Sequence, residues 1–170
     1  VLTNDNSGDG LCATASPGEA LGLARHEASP SAPGSLGAFS SFATLLLGMK
    51  FGEHEYKVMG LAPYAAAKQA ERAEAALRGV FDFEEGQPAR FRWREPGDRY
   101  QLLLRATLGL RFDAIAGGAQ RLLEDLLLRW VRLMRGRYRG DRLALGGGVF
   151  MNVKANMLIA GEEWVEDLFA

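Results

Sequence analysis

Two glycine-containing turns carry residue types that bind phosphate or a nucleoside. The first, residues 5–10, has the sequence Asp-Asn-Ser-Gly-Asp-Gly. A tight glycine hairpin exposes successive backbone N–H groups that can hold phosphate oxygens, which makes Gly8, Asp9 and Gly10 candidates for nucleotide binding. Asp5, at the base of the turn, can ligate a divalent cation. The alternative is an ordinary hairpin in which Asp and Gly serve only the turn geometry.

The second turn consists of Gly146, Gly147 and Gly148, between a short apolar run and a helix-like stretch. Glycines in this position let a ligand approach the backbone and the positive end of the following helix. The pattern is neither G-x-G-x-x-G nor a P-loop. Asn152 and Asn156 lie four residues apart, so a helix would place them on one face, where their amides suit ribose or adenine recognition. A simple packing turn remains the alternative.

A third segment, residues 52–64, combines charged and apolar residues in a distinctive string. Lys57 is a candidate catalytic residue that would contact an anion. An equally good interpretation is a structural salt bridge between Glu53 and Lys57, which are four apart as a helical pair requires. His54 lacks the second histidine that an H-E-x-x-H zinc helix needs.

Hydrophobic spacing and turn residues predict the elements that must position these residues. An antiparallel meander comes first, and the strongest amphipathic helix lies near the carboxyl end. Ser35 and Asp113 are the predicted N-caps of two helices. The predicted strands cover residues 1–3, 11–16, 21–28, 91–94, 142–145 and the last six positions, and the predicted helices cover 36–47, 53–62, 65–78, 113–139 and 149–159.

Composition excludes several classes of protein. The 170 residues carry a formal net charge of -1, which argues against a broadly basic nucleic-acid binder. The apolar runs are far shorter than the ~20 residues of a membrane span. A lone cysteine, Cys12, indicates a reducing, cytoplasmic setting. Because the chain starts at Val1 and stops within a strand-like run, we expect a single partial domain over 1–170, cut from a longer protein.

Several strings, in order along the whole chain, resemble the O-carbamoyltransferases that modify nodulation factors, cephamycins and aminoglycosides. Residues 52–64 resemble the family's signature, and residues 146–156 resemble its glycine–asparagine motif. Residues 5–10 are similar to its early hairpin, and residues 35–48 to its serine–glycine segment. Gln120 and Glu124 fit the helix between these motifs.

The resemblance implies an incomplete α/β domain of the actin–sugar kinase–Hsp70 group, in the variant shared with threonylcarbamoyl-transfer proteins of tRNA modification. It implies ATP-dependent formation of carbamoyl-adenylate from carbamoyl phosphate in a separate C-terminal domain. The domain resembled here would then pass the carbamoyl group to a hydroxyl of a small-molecule acceptor. The implied metal is divalent, iron by resemblance. Two histidine ligands would precede Val1, and a further aspartate would follow Ala170.

Carried over by position, the family pattern makes Asp5 a metal ligand. The turn from Gly8 to Gly10 would face phosphate, and the glycines 146–148 with Asn152 would hold the nucleoside. The residues alone leave two other hypotheses open. One is a sugar or acetate kinase of the same broad fold, and the other is a non-catalytic interaction module that keeps the fold without the metal.

Overall fold

The computed structural model describes residues 1–19, 22–23, 27–32 and 34–170. A mixed five-stranded sheet lies beside a helical layer built around one long helix. The strands are β1 Leu2–Gly8, β2 Leu11–Ala15, β3 Gly18–Glu19, β4 Gly22–Leu23, β5 Glu27–Pro30, β6 Phe81–Glu84, β7 Arg90–Trp93, β8 Arg142–Gly146 and β9 Asp167–Phe169. The helices are α1 Leu36–Leu46, α2 Glu55–Leu61, α3 Ala67–Arg78, α4 Arg99–Ala106, α5 Phe112–Tyr138 and α6 Val153–Ala160.

The main sheet has the strand order β5-β2-β1-β8-β9. Its first three strands form an antiparallel meander, whereas β8 is parallel to β1 and β9 is parallel to β8. The predicted α/β class is therefore confirmed at the level of a mixed α/β domain. The predicted hairpin between β1 and β2 is also confirmed. Asp9 and Gly10 at its tip both have positive φ, 53° and 79°, as a two-residue primed turn requires.

The long helix α5 forms the centre of the core. Its apolar positions recur at helical spacing, and Leu122, Leu126 and Trp130 are at most 1% exposed. Ser35 caps α1 as predicted, because its hydroxyl accepts the N–H of Ala38. The predicted capping role of Asp113 is wrong, since α5 begins one residue earlier and this carboxylate instead pairs with the guanidinium of Arg111.

Some elements differ from the sequence prediction. The third strand of the meander is β5, whereas the predicted 21–28 strand lies partly outside the described residues; within it, Gly22–Leu23 pairs with Gly18–Glu19. Strand β6 and helix α4 have no predicted counterpart. The predicted helix over 149–159 divides into a 3-10 turn, Gly148–Met151, followed by α6. Within the described ranges, no helix is both long and apolar enough to cross a membrane.

Candidate active-site cleft

Asp5 from the first glycine motif and Gly148 from the second line one cleft of about 350 Å³. Asp5 and Asn6, near the end of β1, form one side, and residues 148–152 form the neighbouring side. The rest of the lining comes from α1, from the segment 52–59 and from Leu123 of α5. The volume lies at the lower end of the range for small-molecule sites, so the cleft can accommodate a ligand of modest size.

Asp5 has an exposed carboxylate that faces the glycine corner. Its Oδ1 accepts the backbone N–H of Asn6 at 2.7 Å. A Cβ built on Gly148 would lie 3.1 Å from the same Oδ1. The absence of a side chain at Gly148 therefore leaves room beside the carboxylate, where a ligand can approach both the backbone and Asp5.

Two other glycines bring this arrangement together by allowing close backbone contacts. Gly147 has φ 96°, and a Cβ there would clash with the carbonyl oxygen of Asn4 in β1. Gly37 lies in the first turn of α1, where a Cβ would be 2.5 Å from the backbone nitrogen of Asn6. The glycine corner and α1 thus both pack directly on the strand that carries Asp5.

Asn152 enters the cleft from the start of α6 and is fixed by three contacts. Its Oδ1 accepts the N–H of Ala155 at 3.1 Å, which makes it the N-cap of α6. It also exchanges two hydrogen bonds with the amide of Gln120 in α5, at 3.0 and 2.9 Å. Gln120 in turn donates to the carboxylate of Glu124 at 2.7 Å.

The segment 52–59 contributes acidic residues to the lining. Glu55 accepts hydrogen bonds from the hydroxyl of Ser41 at 2.6 Å and from the N–H of Gly52 at 2.9 Å. Glu53 pairs with Lys50 at 2.6 Å. Among the described residues that line the cleft there is no lysine, arginine or histidine. A phosphate in the cleft would therefore need a cation from elsewhere.

Other predicted site residues lie outside this cleft. Gly8, Asp9 and Gly10 form the exposed tip of the β1–β2 hairpin and are not among the lining residues. Lys57 is exposed, and its Nζ lies 3.1 Å from Nε2 of His54. The predicted Glu53–Lys57 salt bridge is wrong, because Glu53 pairs with Lys50 instead.

Asn156 also does not line the cleft, and its Nδ2 donates to the carbonyl of Phe150 at 2.7 Å. It stabilises the junction between the 3-10 turn and α6. Gly146, the last residue of β8, and Gly147 are likewise absent from the lining. Gly147 instead packs on the backbone of Asn4 in β1.

Ser41, Glu55 and Tyr56 line the cleft but were not singled out as site residues from the sequence. They fall inside the strings 35–48 and 52–64 that carry the family resemblance. That resemblance was the only feature of the sequence that could have indicated a role for them in the site. Their residue types and spacing resemble no known ligand set. Only the packing of α1 against α2 shows that they belong to the site.

The described residues do not complete a metal site. No group of three His, Cys, Asp or Glu side chains in these ranges is placed to hold an ion. Asp5 can supply one carboxylate ligand, and a complete site would need ligands from outside the described residues as well.

Comparison with known proteins supplies the family. Residues 22–170 match the family model described as carbamoyltransferase N-terminus. The chain belongs to the carbamoyltransferase N-terminal family. A search of curated proteins finds no match. In this carbamoyltransferase domain the matched region includes Gly148 and Asn152 but starts after the β1–β2 hairpin, so the placement of Asp5 comes from the structure alone.

Proposed function

We propose that this carbamoyltransferase domain transfers a carbamoyl group from carbamoyl-adenylate to a hydroxyl of a small-molecule acceptor, such as a sugar or natural product. The adenylate would be made from carbamoyl phosphate and ATP by a C-terminal domain of the full protein, in the cytoplasm. The observation that carries the proposal is the convergence of Asp5, Gly148 and Asn152 on one cleft. Family membership supports carbamoyl transfer as the general reaction.

The transfer step makes defined demands on the protein. The acceptor oxygen bonds to the carbonyl carbon, the bond from that carbon to the phosphate oxygen of AMP breaks, and the hydroxyl proton passes by way of the exposed Asp5 carboxylate to solvent. In this proposal Asp5, which lines the cleft, accepts a hydrogen bond from the acceptor hydroxyl, orients it and assists loss of its proton. Asn152 is placed to donate to the carbonyl oxygen as negative charge develops there.

In this proposal the nucleoside lies against Gly148, which leaves the backbone open to a ligand. The phosphate would lie between Gly148 and the part of β1 that lines the cleft, Asp5 and Asn6. A divalent cation, iron by the resemblance, would balance its charge and the charge of Asp5. The described residues contain no group of three such side chains that could hold the ion, so none of the steps above depends on it.

The order and direction of the strands support assigning the domain to a particular group within the α/β class. An antiparallel three-stranded meander continues into two parallel strands, and the glycine corner lies at the carboxyl end of β8 beside β1. We propose on this basis that the domain is of the actin–sugar kinase–Hsp70 type. Ligands of α/β sheets characteristically bind at the carboxyl ends of parallel strands, which is where the cleft lies.

The direct test is the product balance of the full-length natural protein. It would be incubated with carbamoyl phosphate, ATP, Mg²⁺ and Fe²⁺, and with glucose or glucosamine as the acceptor. We expect AMP together with an acceptor whose mass has increased by one carbamoyl group. Release of ADP with a phosphorylated acceptor would show a kinase instead, and absence of any turnover with these acceptors and with water would contradict the proposed reaction.

A further inference from the structure

A buried glutamine holds one of the cleft's side-chain amides in a fixed plane. Gln120 is 6% exposed and lies in the middle of α5. Its Nε2 donates to Oδ1 of Asn152 at 3.0 Å, and Nδ2 of Asn152 donates to Oε1 of Gln120 at 2.9 Å. These two reciprocal hydrogen bonds join the amides edge to edge. Rotation of Asn152 would break both of them.

The neighbours of this pair also determine which way each amide points. The carboxylate of Glu124 only accepts, so it requires the nitrogen of Gln120 on its side. The N–H of Ala155 only donates, so it requires the oxygen of Asn152. Both requirements agree with the reciprocal pair, and a flip of either amide would set like atoms against each other. Glu124 at one end and Ala155 at the other therefore fix the donor and acceptor atoms in this series of hydrogen bonds.

One hydrogen of Asn152 remains for a ligand. An amide nitrogen carries two hydrogens, and the described contacts use one of them, in the bond to Gln120. Both lone pairs of its oxygen are engaged, by Gln120 and Ala155. Since Asn152 lines the cleft, this side chain offers a ligand an N–H donor and not an acceptor. The charged side chains among the described residues that line this cleft are all carboxylates.

We propose that Gln120, anchored by Glu124, is a positioning residue that holds the free N–H of Asn152 against the carbonyl oxygen of the carbamoyl group. This inference rests on the proposed function. The carbonyl oxygen gains negative charge as the acceptor oxygen bonds to the carbon, so a donor fixed in advance stabilises the transition state more than the ground state. Without Gln120, Asn152 keeps its cap but gains freedom to turn its nitrogen away.

The kinetic test uses the full-length protein with Gln120→Met, Asn152→Asp and the double variant, with carbamoyl phosphate, ATP and glucosamine as probe substrates. Asn152→Asp keeps a good N-cap and removes the donor, so we expect kcat to fall about 100-fold. Gln120→Met should lower kcat about tenfold, with KM for glucosamine changed less than about twofold. The double variant should be no slower than Asn152→Asp, since both act through one donor. Losses that multiply, or a change confined to KM, would overturn the inference.

A second readout does not depend on turnover. Exchange of the Asn152 Nδ2 hydrogen that bonds to Gln120, followed by NMR on ¹⁵N-labelled protein, should be slow in the wild type and at least tenfold faster in Gln120→Met. Unchanged exchange would overturn the positioning role even if the wild type proved inactive. Inactivity of the wild type with intact protection would instead count against the proposed function alone.

Thr107→Val is the matched control for loss of a buried polar group. Thr107 is 3% exposed in the turn after α4 and does not line the cleft. We expect Thr107→Val to lower the melting temperature while leaving kcat within about twofold of the wild-type value. If Thr107→Val lowers kcat as much as Gln120→Met does, the effect of Gln120→Met is general destabilisation. If Gln120→Met does not fold, Glu124→Met removes the acceptor that anchors the Gln120 amide, at a similar side-chain length. It should lower kcat about threefold to tenfold, and no change would overturn the inference.

Discussion

At the scale of single residues, a side chain's neighbours determine whether it can react. Cys12 and Asp5 lie seven positions apart on adjacent strands and have opposite surroundings. Cys12 is 2% exposed, and its sulfur contacts backbone carbonyls, including that of Pro30 at 3.4 Å. Burial raises the pKa of the Cys12 thiol to about 11. The carboxylate of Asp5 is instead open to the cleft. Cys12 is therefore an inert part of the core, and Asp5 is available for chemistry.

This raised pKa predicts a pH dependence of stability. In the unfolded chain the thiol titrates at its ordinary value of about 8.5. Between that pH and about 11 the folded protein keeps a proton that the unfolded chain has lost, so the free energy of unfolding falls as pH rises through this range. Urea midpoints at pH 7.5 and pH 10 should show a smaller decrease in Cys12→Ala than in wild type. Equal decreases would show that Cys12 is not the cause.

At the scale of elements, the contact between α1 and β1 sets the position of Asp5. Gly37→Ala would place a Cβ 2.5 Å from the backbone nitrogen of Asn6, so α1 or β1 must move. We expect a loss of about 1–3 kcal/mol in the free energy of unfolding, together with a loss of transfer activity.

Gly60→Ala is the matched control for this change. Gly60 lies within α2, and a Cβ there would meet nothing within 4 Å. Alanine should raise stability by about 0.5–1 kcal/mol because it loses less backbone entropy than glycine. If chemical denaturation gives the same change in the free energy of unfolding for Gly37→Ala and Gly60→Ala, close packing at Gly37 does not determine stability.

A buried ion pair ties the end of α5 to the sheet. Arg137 donates to the carboxylate of Glu27 at 2.6 Å, and their side chains are 18% and 6% exposed. Glu27 also accepts the N–H of Ala89 at 2.8 Å, which attaches the β6–β7 hairpin to β5.

Arg137→Met should therefore destabilise the fold by about 3 kcal/mol, since it leaves a buried carboxylate without its cation. The exposed pair of Arg142 with Glu166, 3.4 Å apart, supplies the comparison. Arg142→Met should cost less than about 1 kcal/mol. Equal costs in urea denaturation would contradict the assignment of Glu27–Arg137 as a structural pair.

Elements of the fold were predictable where a pattern was long or a turn was specific. The buried stripe of α5 repeats over seven turns, so its period identifies the helix from sequence. Helix α4 has only eight residues, and two buried leucines are too few to show a period. Strand β6 has four residues, and its alternation is informative only beside its partner β7.

The same distinction applies to the site. The sequence pointed to Asp5 and Gly148 because each belongs to a local turn with recognisable chemistry. Nothing local relates Ser41 to Glu55, which are 14 positions apart and meet through a hydrogen bond between α1 and α2. Nor could spacing show that the hairpin tip, Gly8–Gly10, lies outside the cleft while Asp5 lies in it.

At the scale of the whole molecule, the charge of the cleft should select among acceptors. Asp5 and Glu55 contribute negative charge, Glu53 is paired with Lys50, and no described lining residue is basic. A carboxylate-bearing acceptor would be repelled, and an amine-bearing one attracted, by Coulomb interactions that salt weakens. We expect kcat/KM to rank glucosamine above glucose and glucose above glucuronate, with smaller differences at 0.5 M NaCl. A preference for glucuronate would contradict this description of the cleft.

We propose that carbamoyl transfer takes place in the cleft between Asp5 and Gly148. The most direct measurement compares Asp5→Asn with Asp9→Asn in the full-length protein, by carbamoylated glucosamine formed from carbamoyl phosphate and ATP. Both variants remove one carboxylate from the same hairpin, and asparagine tolerates the positive φ of 53° at position 9. We predict a loss of at least 100-fold for Asp5→Asn and less than twofold for Asp9→Asn. Equal activities, or a larger loss at Asp9, would contradict the account.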